Sequence, residues 1–591
     1  MATSLLDTLL PELVVHIASF LSPNEVACSF RLVNKFTSKS CQGWKLVRLA
    51  QSVPHHAFVK RWGDERYTRG LTFEQRQELL CLTARSGVIA NLEFAVAVVG
   101  CPLTSEVYYA AARGGHRDAC IWLEDRGCPR DEKVAVQVAA RAGHAEIVRW
   151  KLPQFPSFSG HVLHAAACGG HRALCEEMVA AGAGPAFIKS AAFQAAEGGH
   201  VELTDWLLGL LKERNLGPGF DRESDLVLLH AARGFELPAL QRLYHSRLGS
   251  SAAQEAFEEY GPKMAVAALA SATPDWRAKL EWLEAEAGCR LDKEALKPFG
   301  TVFEKSALES FWTVFENSAL PDALGRVTLL RERGMLHVGR CLHGAVSHTN
   351  LPLIRYLKSE GLLAAASLSD YIMQTAIMKG DLAVLAELMA AGGPIGPRAV
   401  LMAARWGHLH VLRWMAGPES SPAATEALRE ALGDPELTRC AAGSGSLELM
   451  EWLWERGCRQ LVEKAFTAAV KAGNTGLLLW MVARRRRHMS RVTQSEAYLV
   501  AGRRCDMATL RCLRRLGWPW ARDNFNRAVK DGHQSCCLEV LRWLEAEGCP
   551  VDWHAAWALV QSMASVYCSN NHGVSEWVKG HITGPSSGSG A

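Results

Sequence analysis

Four histidines recur in register along this chain, each directly after a glycine: His116, His144, His171 and His200, spaced 28, 27 and 29 residues apart. Imidazoles in register are what a metal array would need, but the period argues against one. Successive helical repeats lie roughly 10 Å apart, one helix diameter, whereas two rings sharing a zinc must each reach within about 2 Å of it. The spacing assigns each ring instead to a hydrogen bond with the turn backbone of the neighbouring repeat. Of the 18 cysteines, none forms a C-x-x-C pair, and Cys101, Cys128, Cys289, Cys458 and Cys549 each follow a glycine at the end of a helix. That placement reads as small buried side chains in a reducing compartment, not as disulfides or zinc ligands.

Other chemistry is sparse. There is no phosphate-binding loop, no G-x-G-x-x-G, no H-E-x-x-H and no calcium loop. The one G-x-S-x-G, Gly584 to Gly588, lies in a Gly/Ser-rich stretch from Thr583 to Ala591 that should be disordered and cannot strain a serine into a nucleophile. Arg484 to Arg487, followed by His488, is dense enough for nuclear import or phosphate contact, and Arg503, Arg504, Arg511, Arg514 and Arg515 thicken it. It also stands where a helix should end, which favours solvated arginines complementing the helix C-terminus. No catalytic, cofactor-binding or metal-binding residue is expected, and no cofactor.

The element that positions the histidines is best seen in Tyr108 to Asp131. It reads as a short helix, a Gly114-Gly115 turn, a second helix from about His116 to Asp125, and a Gly127-Cys128-Pro129 loop. Paired alanines precede each histidine (Ala111-Ala112, Ala139-Ala140, Ala166-Ala167, Ala195-Ala196), small enough for adjacent helix pairs to approach closely. One helix pair cannot bury its own apolar side, so copies must stack. The pattern weakens around 229–345, recovers at Ala403-Ala404-Arg405-Trp406-Gly407-His408, and continues past Lys471 and Lys530. Gly249 to Pro262 reads as a loop-like insertion, and Thr301 to Pro321 as another that carries a duplicated TVFE-x-SAL. The residue after the small pair is Arg113, Arg141, Glu197, Arg233, Arg405, Lys471, Arg503 or Lys530. If that face is open, it is a mainly positive ladder, and the expected target presents an acidic segment.

Before the repeats stands a different unit. Leu10, Leu13, Ile17, Phe20 and Leu21 share one helix face, Pro11 suits the first turn, and Ser22 with Glu25 forms a capping box for a second helix. Val26, Phe30, Val33 and Phe36 continue the stripe, and Trp44 with Leu46 closes a third segment. These forty residues resemble an F-box: the family's Leu-Pro-x-Glu-Leu start, later Ile, Leu, Pro and acidic residue, then Leu-Val and Trp, match Leu10, Pro11, Glu12, Leu13, Ile17, Leu21, Pro23, Glu25, Leu32, Val33 and Trp44. Asn34-Lys35 departs from the usual Cys-Arg or Ser-Lys. The resemblance implies docking of a Skp1-type adaptor of a cullin–RING (SCF-type) ubiquitin ligase through residues 9–46, with Leu10, Pro11, Leu13, Ile17, Leu21, Val26 and Val33 as contacts.

The repeats resemble ankyrin repeats, through Leu163-His164-Ala165-Ala166, Leu229-His230-Ala231-Ala232 and Gly143-His144-Ala145-Glu146-Ile147-Val148. The period is shorter than the family's roughly 33 residues and the Thr-Pro is absent, so the fingers between repeats should be short and strands few or missing. The expected fold is all-α: an F-box-like unit at 1–50, a linker and cap at 51–78, a helix-pair solenoid at 79–565, and a tail at 566–591. The expected function is a non-catalytic substrate receptor whose array binds the target protein. The alternatives are a solenoid scaffold without a ligase role and, remotely, a relative of the sphingomyelin phosphodiesterase-related proteins, with whose Trp-Leu…Gly-Cys-Pro repeats these are similar. A hydrophobic content of 49%, a charged content of 21% and a net charge of +4 suit a folded chain with no global pull toward nucleic acid. MATSLLDTLLPEL is not expected to act as a signal peptide, and no run is long enough to span a bilayer, so a cytoplasmic or nuclear location is expected.

Overall fold

The computed structural model describes residues 10–213, 226–247, 261–286, 288–289, 291, 320–363, 368–459, 461–485, 490–531, 538–564 and 572–583. These residues form helices, turns and loops, with no strand among them, and the helices stack as a solenoid of pairs. The all-α expectation holds.

The N-terminal unit comprises helices Pro11–Ser19, Pro23–Cys28 and Lys35–Ser40 with a 3₁₀ turn at Phe30–Leu32. Pro11 occupies the first turn. The capping box forms as expected: Ser22 N donates to Glu25 at 2.8 Å, and Glu25 N to the Ser22 hydroxyl at 3.2 Å. Its core is small and separate, with Val14, Ala18, Val26 and Cys41 buried and Phe30, Phe36 and Trp44 packed around them. Buried Asn24 ties the unit to the array. Its side-chain amide donates to the Arg48 and Ser52 carbonyls and accepts from Arg48 N, each at 2.9 Å.

The array begins earlier than expected. Helices His55–Trp62, Glu65–Arg69 and Phe73–Ser86 cover most of 51–78, and Phe58, 2% exposed, packs edge-on against Phe94 within the main core. This stretch packs on the solenoid as a helical cap, and little of it is left as linker. Its helical period is weak in sequence because the two short helices, His55–Trp62 and Glu65–Arg69, bury only Phe58 between them. At the other end, helix His572–Thr583 buries Val578 and stacks His581 on Trp553 at 4.0 Å. The stretch 566–591 therefore contains a packed helix, and the predicted disorder of 584–591 lies outside the described residues. Of the two expected insertions, 249–260 and 301–319 lie outside them too, while residues 261 and 262, read as loop, already belong to a helical stretch at 261–269.

Each regular repeat uses its histidine as a clamp. His144 Nε2 donates to the Arg113 carbonyl at 2.9 Å, His171 to Arg141 at 3.1 Å, His200 to Cys168 at 3.3 Å and His408 to Met378 at 2.8 Å. These carbonyls lie in the last turn of a helix and have no helical partner. The same ring covers the preceding repeat's glycine. At Gly115, φ is +79°, and a Cβ would lie 2.4 Å from His144 Nδ1, so glycine is required both for the turn and for the close approach. The paired alanines, Ala111-Ala112 through Ala195-Ala196, are all fully buried.

Where the Gly-His step fades, buried cations take over the clamp. Lys279 Nζ donates to the Ala232 carbonyl (3.0 Å), the Phe235 carbonyl (2.6 Å) and Ser271 Oγ (2.6 Å), and burial lowers its pKa to about 8. Arg326 donates to the Ser271 and Pro321 carbonyls at 2.8 and 2.9 Å and lies over the Trp276 ring. A cation at helix carbonyl ends does the histidine's work with charge added.

Candidate interaction surfaces

The apolar stripe of the N-terminal unit faces solvent. Leu10 is 65% exposed, Phe20 77%, Leu32 62% and Val33 58%, and Leu13, Ile17 and Leu21 are exposed beside them. Pro11 is exposed as well. The helix Pro11–Ser19 buries Val14 and Ala18 on its other side, so it is apolar on both faces and spends only one on the core. Among the expected adaptor contacts, Val26 is the exception. It is fully buried in the unit's core and unavailable to any partner. Phe20 and Leu32 belong to the exposed patch and were not among the expected contacts, although Phe20 shares the helical spacing of Leu13 and Ile17.

The charge ladder is partly present. Arg113, Arg141, Arg405, Lys471, Arg503 and Lys530 are exposed. Glu197 and Arg233 are half-buried and paired with each other at 3.0 Å, and His230 lies 3.2 Å from the same carboxylate. The His230 hydrogen bond holds the Glu197 carboxyl below its usual range. These two residues tie neighbouring repeats together and do not present charge to a partner, so the ladder is interrupted there.

The first helices of the array also pack against repeats more than 370 positions later, closing the solenoid on itself. The latch is a buried bidentate ion pair, a geometry favoured by planar guanidinium and carboxylate. Arg76 Nη1 and Nη2 donate to Asp506 Oδ1 and Oδ2 at 3.0 and 2.8 Å, and to the Val99 and Gly473 carbonyls at 2.7 and 2.9 Å. Both side chains are 2% exposed. Asp506 also caps the helix Met507–Arg515, accepting from Thr509 N at 3.0 Å. Asn474 donates to the carbonyls of Gly70 (2.9 Å) and Gly445 (2.7 Å), bridging the seam. The Arg504 guanidinium lies over Phe73 and bonds Glu74 at 2.6 Å.

A crevice of about 620 Å³ opens along this seam, lined by Glu74, Arg405, Trp406, Arg439, Lys471 and Arg504 among others. The loop cysteines are buried thiols. Cys101, Cys128, Cys289, Cys458 and Cys549 are buried and unpaired by disulfides, and burial pushes Cys101 to about 12 and Cys128, Cys289 and Cys549 to about 11. Thiols held so high carry no thiolate at neutral pH. Of the Arg484–Arg487 run, Arg484 is exposed and lies over Trp480, while 486–489 fall outside the described residues. Among the described residues no three His, Cys, Asp or Glu side chains gather as a metal site would require, and no helix is long and apolar enough to cross a membrane.

No protein-family model and no curated protein matches the sequence. Solved structures similar to this chain include the pentatricopeptide repeat protein PPR10 in complex with an 18-nucleotide psaJ RNA element, at 11% identity and a TM-score of 0.21, covering 98% of this chain and 97% of that one. A second structure of that complex, with three cysteines replaced by serine, gives the same figures. A TM-score this low does not establish a common fold.

Proposed function

We propose that the chain is a non-catalytic adaptor that joins a target protein to a cullin–RING ubiquitin ligase. Its N-terminal unit resembles an F-box and would dock a Skp1-type adaptor, while the array, which resembles ankyrin repeats, holds the target. The observation that carries this reading is the exposed apolar patch of Leu10, Leu13, Ile17, Phe20, Leu21, Leu32 and Val33. Exposed apolar surface of this kind on a folded chain marks an interaction site, and five of these residues, Leu10, Leu13, Ile17, Leu21 and Val33, are positions at which the F-box resemblance places the adaptor.

The experiment is capture of a purified Skp1-type adaptor by the full-length chain and by a Leu13→Ala/Ile17→Ala variant. Wild type should bind, and the variant should lose most of its binding while melting at the same temperature. Folded wild-type protein that fails to bind the adaptor removes the ligase reading and leaves a repeat scaffold.

A further inference from the structure

We propose that the crevice along the array's seam binds an acidic peptide segment of the target. This rests on the array being the target-holding surface, and it adds where the grip lies and what it recognises. The crevice, about 620 Å³, falls within the roughly 300–1,000 Å³ of formed ligand sites. Its walls come from distant parts of the chain. Thr72 and Glu74 open the helix Phe73–Ser86, and Arg405, Trp406, Arg439, Lys471 and Arg504 come from the late repeats. The site exists only when the array is closed.

Its charge is asymmetric. Four cations face a single carboxylate in the lining, and the internal pairs account for two of the four: Arg504 holds Glu74 at 2.6 Å, and Arg439 forks onto Glu436 at 2.7 Å. Arg405 and Lys471 remain. Both are exposed, and neither has a carboxylate partner among the described residues.

The gap between them has a cause in the sequence. Arg405 and Lys471 are rungs of the charge ladder, on helices Pro397–Arg405 and Glu463–Ala472, and the helix between them, Pro435–Ser444, carries Gly443 in the rung position after Ala441-Ala442. The nearest side-chain atom to a Cβ at Gly443 would be Ala468 Cβ at 3.8 Å, so one missing side chain opens the floor of the crevice. Trp406, 50% exposed, offers an apolar ring beside Arg405. Carboxylates laid between Arg405 and Lys471, with a neighbouring apolar side chain against Trp406, complement all three groups.

The test is fluorescence anisotropy with the full-length chain and a short labelled Glu-rich peptide containing one Phe, compared with its Gln counterpart. Charge reversal at Arg405→Glu with Lys471→Glu should weaken binding about tenfold or more. Gly443→Arg should also weaken it, although it adds positive charge, because it fills the floor. Arg113→Glu, on the same ladder but outside the lining of the crevice, should stay within about twofold. The proposal is overturned if the double reversal leaves affinity unchanged, if Gly443→Arg tightens binding, or if Arg113→Glu costs as much as the reversal. Displacement of the peptide by inorganic phosphate at equal concentration would overturn it as well, since the site would then be one for phosphate. Circular dichroism checks that each variant is folded. Adaptor capture by the same variants should match wild type, so loss of the ligase reading and loss of this site are separate results.

Discussion

The N-terminal unit and the seam treat polarity in opposite ways. The unit turns leucines, a phenylalanine and a valine outward and keeps a core of four buried side chains. The seam turns an arginine, an aspartate and an asparagine inward and satisfies them with carbonyls and with each other. Exposed apolar groups cost little while solvated and gain on meeting a partner, whereas a buried charge must be matched within the chain. The contrast separates an apolar surface left open to solvent from a polar contact satisfied within the chain.

The largest effect should come from breaking the latch. Asp506→Ala leaves the Arg76 guanidinium buried without its carboxylate and removes the cap of the helix Met507–Arg515. Removing one partner of a buried pair costs about 3–5 kcal/mol. Urea denaturation should show that loss, and small-angle scattering should show a more open particle. A paired Arg76→Met/Asp506→Leu variant, with no charge left to strand, should recover much of the stability. If it does not, the seam depends on the ion pair's geometry and not merely on satisfying its charges.

The next effect concerns the turns between the helices of the array. Gly115→Ala forces a side chain onto a backbone at φ +79° and into the space of the His144 ring. The left-handed conformation alone costs roughly 1–2 kcal/mol, and the displaced ring exposes the Arg113 carbonyl as well. Gly127→Ala, also at positive φ but with open space around its Cβ, should cost only the first part. Thermal melts of the two variants measure the clamp by difference.

These regions were not equally legible in the sequence. Repeats, histidine clamps, buried cysteines and the capping box at Ser22 could be read because each rests on residues that are local or in register. The exposed side of the first helix could not be chosen from periodicity. Val14 and Ala18 are apolar like Leu13 and Ile17, and only packing shows which pair is buried. The seam left no local trace, since Arg76 and Asp506 lie 430 positions apart and Asp506 reads as an ordinary helix cap. Glu197 and Arg233 looked like ladder rungs because the spacing between repeats does not reveal that one neutralises the other.

A smaller effect is the response to acid. Burial is the main cause that lowers the pKa of His116 below 6.5, against the opposing pull of the Arg85 carbonyl, and burial lowers His164 likewise. Between the lowered value and 6.5 the unfolded chain binds more protons than the folded one, so stability rises with pH across that window. The array should hold full stability above about pH 6.5 and lose some as pH falls through the lowered folded values. His116→Gln should flatten that part of the melting-temperature profile. Asp506→Ala should shift the profile as a whole without flattening it there.

The smallest effect on stability, and the sharpest contrast with the latch, belongs to the exposed face. Leu13→Ala with Ile17→Ala removes side chains that are 47% and 39% exposed, and the unit's core of Val14, Ala18, Val26 and Cys41 is untouched. Substitutions away from buried contacts usually stay within about 0.5 kcal/mol, so the melting curve should overlay that of wild type. Val26→Ala, drawn from the same stripe but fully buried, should instead cost roughly 0.5–1.5 kcal/mol or more and unfold the unit before it affects any partner. Adaptor capture by the two variants then separates a contact surface from a core. Loss of binding without loss of stability in the first, and loss of stability in the second, means that the outward face is held for a partner. Equal destabilisation by both would mean that the face packs within the chain in solution and that the unit serves only to cap the array.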